Sequence, residues 1–195
     1  QVFPLLRTFP VFKIWHAGCA TGEEVYSLAI LLHEHGLYDR AQIYATDFNT
    51  KALATAREGI YSSDKINDSL ERYHLSGGQG NLTDYFHSGY GNSIVHDRLK
   101  KRITFAAHNL VVDRVFGEME LIICRNVMIY FNTDLKQQVV KLFHNSLYHG
   151  GYLCLGDKES LNDKTDNGQF NLINDKAKIY RKITHYEKNV ATFFS

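Results

Sequence analysis

The sequence predicts an α/β protein built on a doubly wound, mostly parallel sheet. Short apolar strand segments alternate with helix segments along most of the chain. A glycine-rich turn, 18–22, follows the first strand, and the apolar run 121–124 is typical of a parallel strand covered on both faces. Ligands of such sheets bind beyond the carboxyl ends of the strands, so polar residues at those ends are the candidate site.

Six segments have the apolar composition of strands. They lie at 13–17, 41–46, 102–106, 121–124, 152–155 and 177–183. The last two are separated by a polar loop and can pair as an antiparallel hairpin. The segment from Ile60 to about Lys101 is rich in glycine and aromatic residues, which predicts an insertion of turns and small strands.

Three helices are predicted from apolar periodicity and from residues that favour helix ends. Their candidate caps are Thr21 with Glu24 as a capping box, Asn49 or Thr50, and Asn132 or Thr133. Their candidate ends are Gly36, Gly59 and the pair Gly150-Gly151.

Composition excludes several classes of function. The 195 residues carry 22 basic and 21 acidic side chains, for a formal charge of +1, so the excess positive charge of proteins that coat nucleic acids or membrane surfaces is missing. The sequence contains no apolar run long enough to span a bilayer and no clear signal peptide, which predicts a cytoplasmic protein with no direct membrane insertion.

Cysteine and histidine usage does not predict a metal site. The three cysteines, Cys19, Cys124 and Cys154, are too few and too widely spaced for a disulfide framework or a zinc site, so we expect reduced thiols. The ten histidines have no cysteine or carboxylate companions at ligand spacing. Cys19 precedes a helix, which leaves a nucleophilic thiol as a weaker alternative.

Two strand ends carry polar residues suited to a ligand. Asp47 lies about 25 residues beyond the glycine turn, the spacing at which a carboxylate reaches ribose hydroxyls. The glycine turn and Asp47 together favour an adenosine-type cofactor. Asp47 could instead cap the helix that starts near Asn49. Arg125 and Asn126 directly follow the apolar strand 121–124, and Tyr130 comes four residues after Asn126. Their position at the end of a buried strand indicates a functional role in preference to a packing role.

Four segments of the sequence resemble the CheR family of chemoreceptor protein-glutamate O-methyltransferases, which use S-adenosylmethionine. They are Ala17-Gly18-Cys19-Ala20-Thr21-Gly22-Glu23-Glu24-Val25-Tyr26-Ser27, Ala45-Thr46-Asp47, His108-Asn109-Leu110 and Cys124-Arg125-Asn126-Val127-Met128-Ile129-Tyr130-Phe131. The resemblance extends in order from about Trp15 to Glu159. It implies a Rossmann-like methyltransferase fold with a seven-stranded, mostly parallel sheet, an antiparallel last strand and a small antiparallel β-subdomain.

The resemblance also implies roles for individual residues. Cofactor contacts are implied at Glu23, Asp47, Asn109, Leu110, Arg125 and Asn126. Catalytic roles are implied for Tyr130, which would face the transferring methyl group and the substrate carboxylate, and for Asn126. No metal is implied. The implied substrates are glutamate side chains in the cytoplasmic domains of chemoreceptors, and the insertion at about 60–101 corresponds to the β-subdomain that docks receptor tails.

The chain departs from the family pattern at two places. The family has a helical N-terminal domain and an arginine-bearing segment just before the region matching Phe3-Pro4-Leu5. The sequence shows neither, so we expect 1–12 to be a linker remnant and 13–195 to be the methyltransferase domain. Where the family commonly has Gly-His-Ser-Glu-Ser, this chain has Gly156-Asp157-Lys158-Glu159-Ser160. Two alternatives therefore stay open, a sensory or scaffold module that binds S-adenosylmethionine or its product S-adenosylhomocysteine, and a small-molecule carboxyl methyltransferase.

Overall fold

The computed structural model describes residues 2–113, 117–166 and 168–183. Its strands are β1 (Phe12–Ala17), β2 (Ala41–Asp47), β3 (Ile60–Ser62), β4 (Phe86–Gly89), β5 (Asn92–Val95), β6 (Ile103–Ala107), β7 (Met119–Cys124), β8 (Leu147–Leu155), β9 (Phe170–Asn174) and β10 (Ile179–Lys182). Its α-helices are α1 (Phe3–Leu6), α2 (Glu23–Glu34), α3 (Thr50–Glu58), α4 (Ser63–Asn67), α5 (Leu70–Leu75), α6 (Asp97–Lys100), α7 (Thr133–Ser146) and α8 (Asp163–Asp166).

The main sheet has seven strands in the order β6-β2-β1-β7-β8-β10-β9. The pairs β2–β6, β1–β7 and β7–β8 are parallel, whereas β10 is antiparallel to both β8 and β9. The strands β3, β5 and β4 form a separate antiparallel sheet within the predicted insertion. The predicted α/β fold class, a seven-stranded mostly parallel sheet with a small antiparallel β-subdomain, is therefore confirmed.

The chain divides into two compact units. The N-terminal unit comprises Phe3–Phe12 and Cys19–Ala107, and the C-terminal unit comprises Val2, Lys13–Gly18 and the described residues from His108 onward. The N-terminal unit holds β2, β6, the small sheet and the helices α1 to α6. The C-terminal unit holds most of β1, together with β7 to β10 and the helices α7 and α8.

Apolar side chains at the predicted periods form the core of each unit. In the N-terminal unit Val25, Ala29 and Leu32 are fully buried on α2. In the C-terminal unit Trp15 is fully buried on β1, and its ring meets the Phe143 ring of α7 edge to face with centroids 5.5 Å apart. Large apolar side chains of this kind contribute about 1.5–3 kcal/mol each when buried.

The glycine pair Gly150-Gly151 does not end the third helix as predicted. Helix α7 ends at Ser146, and the pair lies inside β8. Gly150 has a φ of 76°, and the pairing of β7 with β8 shifts register between Met119 and Leu121. Gly150 therefore lies at an irregularity of the strand. A left-handed backbone position within a strand favours glycine, because glycine has no Cβ.

Two further features were absent from the sequence-based prediction. The polar loop between the last predicted strands contains a strand, β9, whose central residues Leu172 and Ile173 are partly exposed. The insertion contains the short helices α4 and α5 besides its strands. An exposed outer strand and helices of five and six residues lack the apolar periodicity on which the prediction depended.

Glu34, the last residue of α2, holds the insertion to that helix. Its Oε1 accepts hydrogen bonds from the hydroxyls of Tyr73 and Tyr85 and from the Gly80 amide, and its Oε2 accepts one from the Gln79 amide. Burial alone would raise the pKa of Glu34, but these donors outweigh it and lower the pKa below its ordinary value.

We expect Glu34→Gln to lower the free energy of unfolding at pH 7 by about 1–3 kcal/mol, because a charged acceptor of several donors is lost. A carboxylate with a depressed pKa stabilises the fold above its unfolded pKa, near 4.5, and loses this contribution as the pH falls through the folded pKa. The difference between wild type and variant should therefore shrink between pH 7 and pH 3 in urea titrations. A difference independent of pH, or an equal loss in the exposed control Glu71→Gln, would contradict this role.

Candidate functional site

The glycine turn is built from left-handed backbone. Ala20 has a φ of 48° and Gly22 a φ of 88°, and Gly22 is the N-cap of α2. The predicted capping box of Thr21 with Glu24 is wrong, because the left-handed Gly22 occupies the cap position and the Thr21 hydroxyl instead donates to Glu23 Oε2 at 2.6 Å. A side chain at Gly22 would meet Ala56, since an ideal Cβ would lie 2.8 Å from the Ala56 Cβ.

Asp47 fixes this turn to the second strand end. The carboxylate is buried, its Oδ2 accepts the Ala20 amide at 2.8 Å, and its Oδ1 accepts the Asn49 amide at 2.8 Å. Asn49 itself caps α3, accepting from the amides of Lys51 and Ala52. A carboxylate oxygen has two lone pairs, so each oxygen of Asp47 keeps acceptor capacity for a ligand hydroxyl.

Glu23, the first residue of α2, lies on the same turn. Its half-buried carboxylate accepts hydrogen bonds from Thr21 and from the ammonium of Lys65 on α4. Burial would raise the pKa of Glu23, but the Lys65 and Thr21 hydrogen bonds outweigh it and lower the pKa. Glu23 is therefore an ionised group that can bind a ligand cation.

Phe48, directly after Asp47, was not among the predicted site residues. Its side chain is 78% exposed. An aromatic ring exposed beside a carboxylate that can bind ribose offers a flat apolar face to a planar ring. The signal was present in the sequence as a large aromatic residue at a polar strand end, where packing does not require one.

In the C-terminal unit, Glu159 organises the turn that carries Arg125 and Asn126. The Glu159 carboxylate is 5% exposed and accepts backbone amides on both oxygens. Its Oε1 accepts Val127 at 3.0 Å and Met128 at 2.7 Å, and its Oε2 accepts Asn126 at 2.8 Å and Gly156 at 2.7 Å. Glu159 was not among the predicted site residues, because no local sequence pattern reveals a carboxylate that accepts three amides from a segment more than 30 residues away.

This arrangement requires a particular backbone at two positions. Asn126 has a φ of 60°, in the left-handed region that asparagine tolerates better than most residues. Gly156 has no room for a side chain, because an ideal Cβ would lie 2.7 Å from Glu159 Oε2 and 2.8 Å from the Asn126 amide nitrogen. The Glu159 hydrogen bonds offset the cost of the strained turn.

Arg125 and Tyr130 occupy the outer side of this turn. The Arg125 guanidinium pairs with Asp157 at 3.2 Å, and both side chains are exposed, so the pair contributes at most about 1 kcal/mol. Tyr130 ends a short 3-10 helix, Met128–Tyr130, and is 81% exposed. An aromatic residue so exposed on a tightly held turn has its hydroxyl available to a substrate.

Asn109 and Leu110 lie on a separate tight turn of the C-terminal unit. The Asn109 amide donates to Asp113 Oδ2 at 2.7 Å, and its side-chain oxygen accepts the Val111 amide at 2.9 Å. Asn109 itself is exposed, and its side-chain amide has two N–H donors besides the oxygen that accepts from Val111.

The structure thus groups the predicted site residues by unit. Ala20 and Thr21 of the glycine turn bind the carboxylates of Asp47 and Glu23. Segment 156–159 holds Arg125 and Asn126, and Tyr130 follows on the same turn. The individual roles implied for these residues stay predictions.

The nucleophilic-thiol alternative for Cys19 is disfavoured. Cys19 is buried, and burial together with the neighbouring charge of Asp47 raises the pKa of its thiol to about 12. A thiol with that pKa is protonated at neutral pH and is a poor nucleophile.

Within the described residues, no group of three or more histidine, cysteine, aspartate or glutamate side chains could hold a metal ion. None of the described helices has the length and apolar character needed to cross a bilayer.

We expect Glu159→Gln to lower the free energy of unfolding by about 2–4 kcal/mol, because the glutamine amide would point its own N–H groups at two of the four backbone donors. Urea unfolding followed by circular dichroism measures the change. The exposed control Glu118→Gln should stay within about 0.5 kcal/mol of wild type. Equal stability of both variants would remove Glu159 from its organising position.

Comparison with known proteins adds relatives of named activity. Residues 3–179 match the family model described as CheR methyltransferase, SAM binding domain. A Pseudomonas putida protein named "Putative methyltransferase Cher3" is 48% identical over 182 residues, covering 93% of this chain and 67% of that protein. Chemotaxis protein methyltransferase 1 of Vibrio cholerae is 35% identical over 162 residues, covering 79% of this chain and 56% of that protein.

Solved structures match the chain at low sequence identity. The N-methyltransferase NodS of Bradyrhizobium japonicum, solved in complex with S-adenosyl-L-homocysteine, is 16% identical, with 80% of this chain and 57% of that chain covered and a TM-score of 0.44. The match to the family model extends over most of the described residues and includes the predicted site residues of both units. The chain belongs to the CheR methyltransferase family and contains its S-adenosylmethionine-binding domain.

Proposed function

We propose that this chain transfers a methyl group from S-adenosylmethionine to glutamate side-chain carboxylates in the cytoplasmic domains of chemoreceptors, giving glutamate methyl esters. Family membership supports methyl transfer, and several relatives at 33–35% identity are named chemotaxis protein methyltransferase. The observation that carries the proposal is the exposed Tyr130 on a turn whose backbone Glu159 holds through four hydrogen bonds.

The polar residues of the N-terminal unit fit the proposed cofactor. S-adenosylmethionine carries ribose hydroxyls, an adenine ring and an amino-acid tail. The free lone pairs of Asp47 suit the hydroxyls, the exposed ring of Phe48 suits the adenine, and the ionised Glu23 suits the ammonium of the tail. From the C-terminal unit, we assign cofactor contacts to Asn109, Leu110, Arg125 and Asn126 on the strength of the family resemblance.

The chain needs no strong general base for this reaction. When bound, S-adenosylmethionine supplies a methyl group on a sulfonium, which a carboxylate oxygen can attack. A glutamate with an ordinary pKa of about 4.3 is already ionised at neutral pH. Tyr130 and Asn126 then act by orienting the carboxylate through hydrogen bonds, and placement within about 3–3.5 Å of the methyl carbon supplies several kcal/mol.

The small antiparallel sheet supports a second part of the proposal, docking of a receptor C-terminal peptide. Its order is β3-β5-β4, so β4 is an outer strand, and most of its side chains are exposed. An outer strand presents backbone donors and acceptors to which an extended peptide can add as a further strand. Pro is absent from β4, so every one of its residues retains a backbone donor.

A methyl-transfer assay tests the function. The chain is incubated with methyl-labelled S-adenosylmethionine and a purified chemoreceptor cytoplasmic fragment, and label released as methanol by mild base reports methyl esters. Labelled receptor, absent when the modified glutamates are changed to alanine, is the expected result. Binding of S-adenosylhomocysteine without any transfer would favour the sensory or scaffold module, and labelling of free organic acids alone would favour the small-molecule enzyme.

In this assay Tyr130→Phe should lower kcat about 10-fold or more while leaving S-adenosylhomocysteine affinity within about 2-fold, because one orienting hydrogen bond to the substrate is lost. The half-buried Tyr148→Phe, the same chemical change on β8, should leave kcat near wild type. Unchanged turnover in Tyr130→Phe would count against a catalytic role.

Asp47→Ala should weaken the affinity for S-adenosylhomocysteine by about 1–3 kcal/mol, because the ribose acceptors are removed. Isothermal titration measures the affinity, and Asp47→Asn, which keeps one acceptor oxygen for the glycine turn, should fall between wild type and alanine. The exposed Asp39→Ala provides the matched control. Wild-type affinity in both Asp47 variants would remove Asp47 from the site.

A further inference from the structure

Lys65 and Glu23 form an ion pair on the glycine turn. The Lys65 ammonium contacts Glu23 Oε1, whereas Thr21 donates to Glu23 Oε2. The Lys65 side chain is 58% exposed and that of Glu23 is 34% exposed. An ion pair this exposed adds little to stability, so its position calls for another explanation.

The backbone that carries Lys65 is fixed against the turn, although the ammonium is not buried. Tyr61, four residues earlier on β3, is buried, and its hydroxyl donates to the Thr21 carbonyl at 2.7 Å. Ser63, at the start of α4, has its hydroxyl 3.1 Å from that of Ser93 on β5. The backbone position of Lys65 is therefore fixed. Its exposed ammonium can exchange one hydrogen-bond partner for another at little energetic cost.

The pair has the charge pattern of a receptor for an amino-acid zwitterion. The tail of S-adenosylmethionine and S-adenosylhomocysteine carries an ammonium and a carboxylate on one carbon atom. If Glu23 accepts the ammonium, as the proposed function requires, the tail carboxylate comes to lie beside the cation that Glu23 already holds. A lysine ammonium and a carboxylate form a charge-assisted hydrogen bond that is stronger than a neutral one.

We propose that Lys65 binds the carboxylate of the cofactor's amino-acid tail, exchanging its contact with Glu23 for one with the ligand. Lys65 thus joins Glu23 as a cofactor-binding residue, and the insertion supplies part of the cofactor site of the N-terminal unit. This proposal rests on the proposed function, because it takes Glu23 as a contact of the cofactor.

A pair of ligands that differ only in the tail tests the assignment. S-adenosylhomocysteine has the amino-acid tail, and 5′-methylthioadenosine keeps the nucleoside and sulfur but lacks the tail. Isothermal titration of the full chain gives the affinity of each ligand for wild type, Lys65→Met, Lys65→Arg and the control Lys51→Met, an exposed lysine on α3 of the same unit.

We expect Lys65→Met to weaken S-adenosylhomocysteine binding on the order of 10-fold and to leave 5′-methylthioadenosine within about 2-fold of wild type. Lys65→Arg, which keeps the charge, should recover most of the lost affinity, and Lys51→Met should change neither ligand.

An equal effect of Lys65→Met on both ligands, or no effect on either, would overturn the role of Lys65 while leaving the cofactor assignment intact. If the folded wild type binds neither ligand, the proposed function fails and the Lys65 assignment fails with it. Circular dichroism of each variant establishes that it is folded, and Lys65→Gln, which also removes the charge, replaces Lys65→Met in the comparison of the two ligands if Lys65→Met does not fold.

Discussion

The buried carboxylate of Glu159 is the interaction on which the candidate catalytic turn depends. Four backbone amides, from Asn126, Val127, Met128 and Gly156, converge on its two oxygens. The amides of Met128 and Gly156 are buried, where each would cost about 1–3 kcal/mol without an acceptor, and Asn126 adds left-handed strain. The Glu159 hydrogen bonds offset these costs and hold the backbone that carries Arg125, Asn126 and Tyr130 at the strand end.

Asp47 serves the glycine turn by the same physical means. Its buried carboxylate accepts the Ala20 amide on one oxygen and the Asn49 amide on the other. The alternative role of Asp47 as the cap of α3 is wrong, because Asn49 is the N-cap, and the ligand-binding role of Asp47 stays a prediction. In both units, acidic side chains shape backbone turns at the ends of parallel strands. Methyl transfer to an already ionised carboxylate requires orientation above all, and turns held in advance lose little entropy when ligands bind.

Local signals predicted most of the fold and less of the site. Strand composition and helix periodicity predicted the parallel strands, and Asn49 and Asn132 proved to be the true caps among the paired candidates. The capping box at Thr21 failed because the left-handed backbone of Gly22 overrides the side-chain pattern. Three of the four Glu159 contacts, the Lys65 ion pair and the Glu34 contacts join residues at least 31 positions apart, and no local pattern encodes such pairs.

Titration of this chain with S-adenosylhomocysteine shows whether the chain binds the proposed cofactor, because the product binds without turning over. We expect saturable binding with a micromolar dissociation constant and a clear binding enthalpy, because a preformed polar site orders its ligand. A chain that is folded by circular dichroism yet gives no binding heat at several temperatures would contradict it, and the family fold would then be present here without its chemistry.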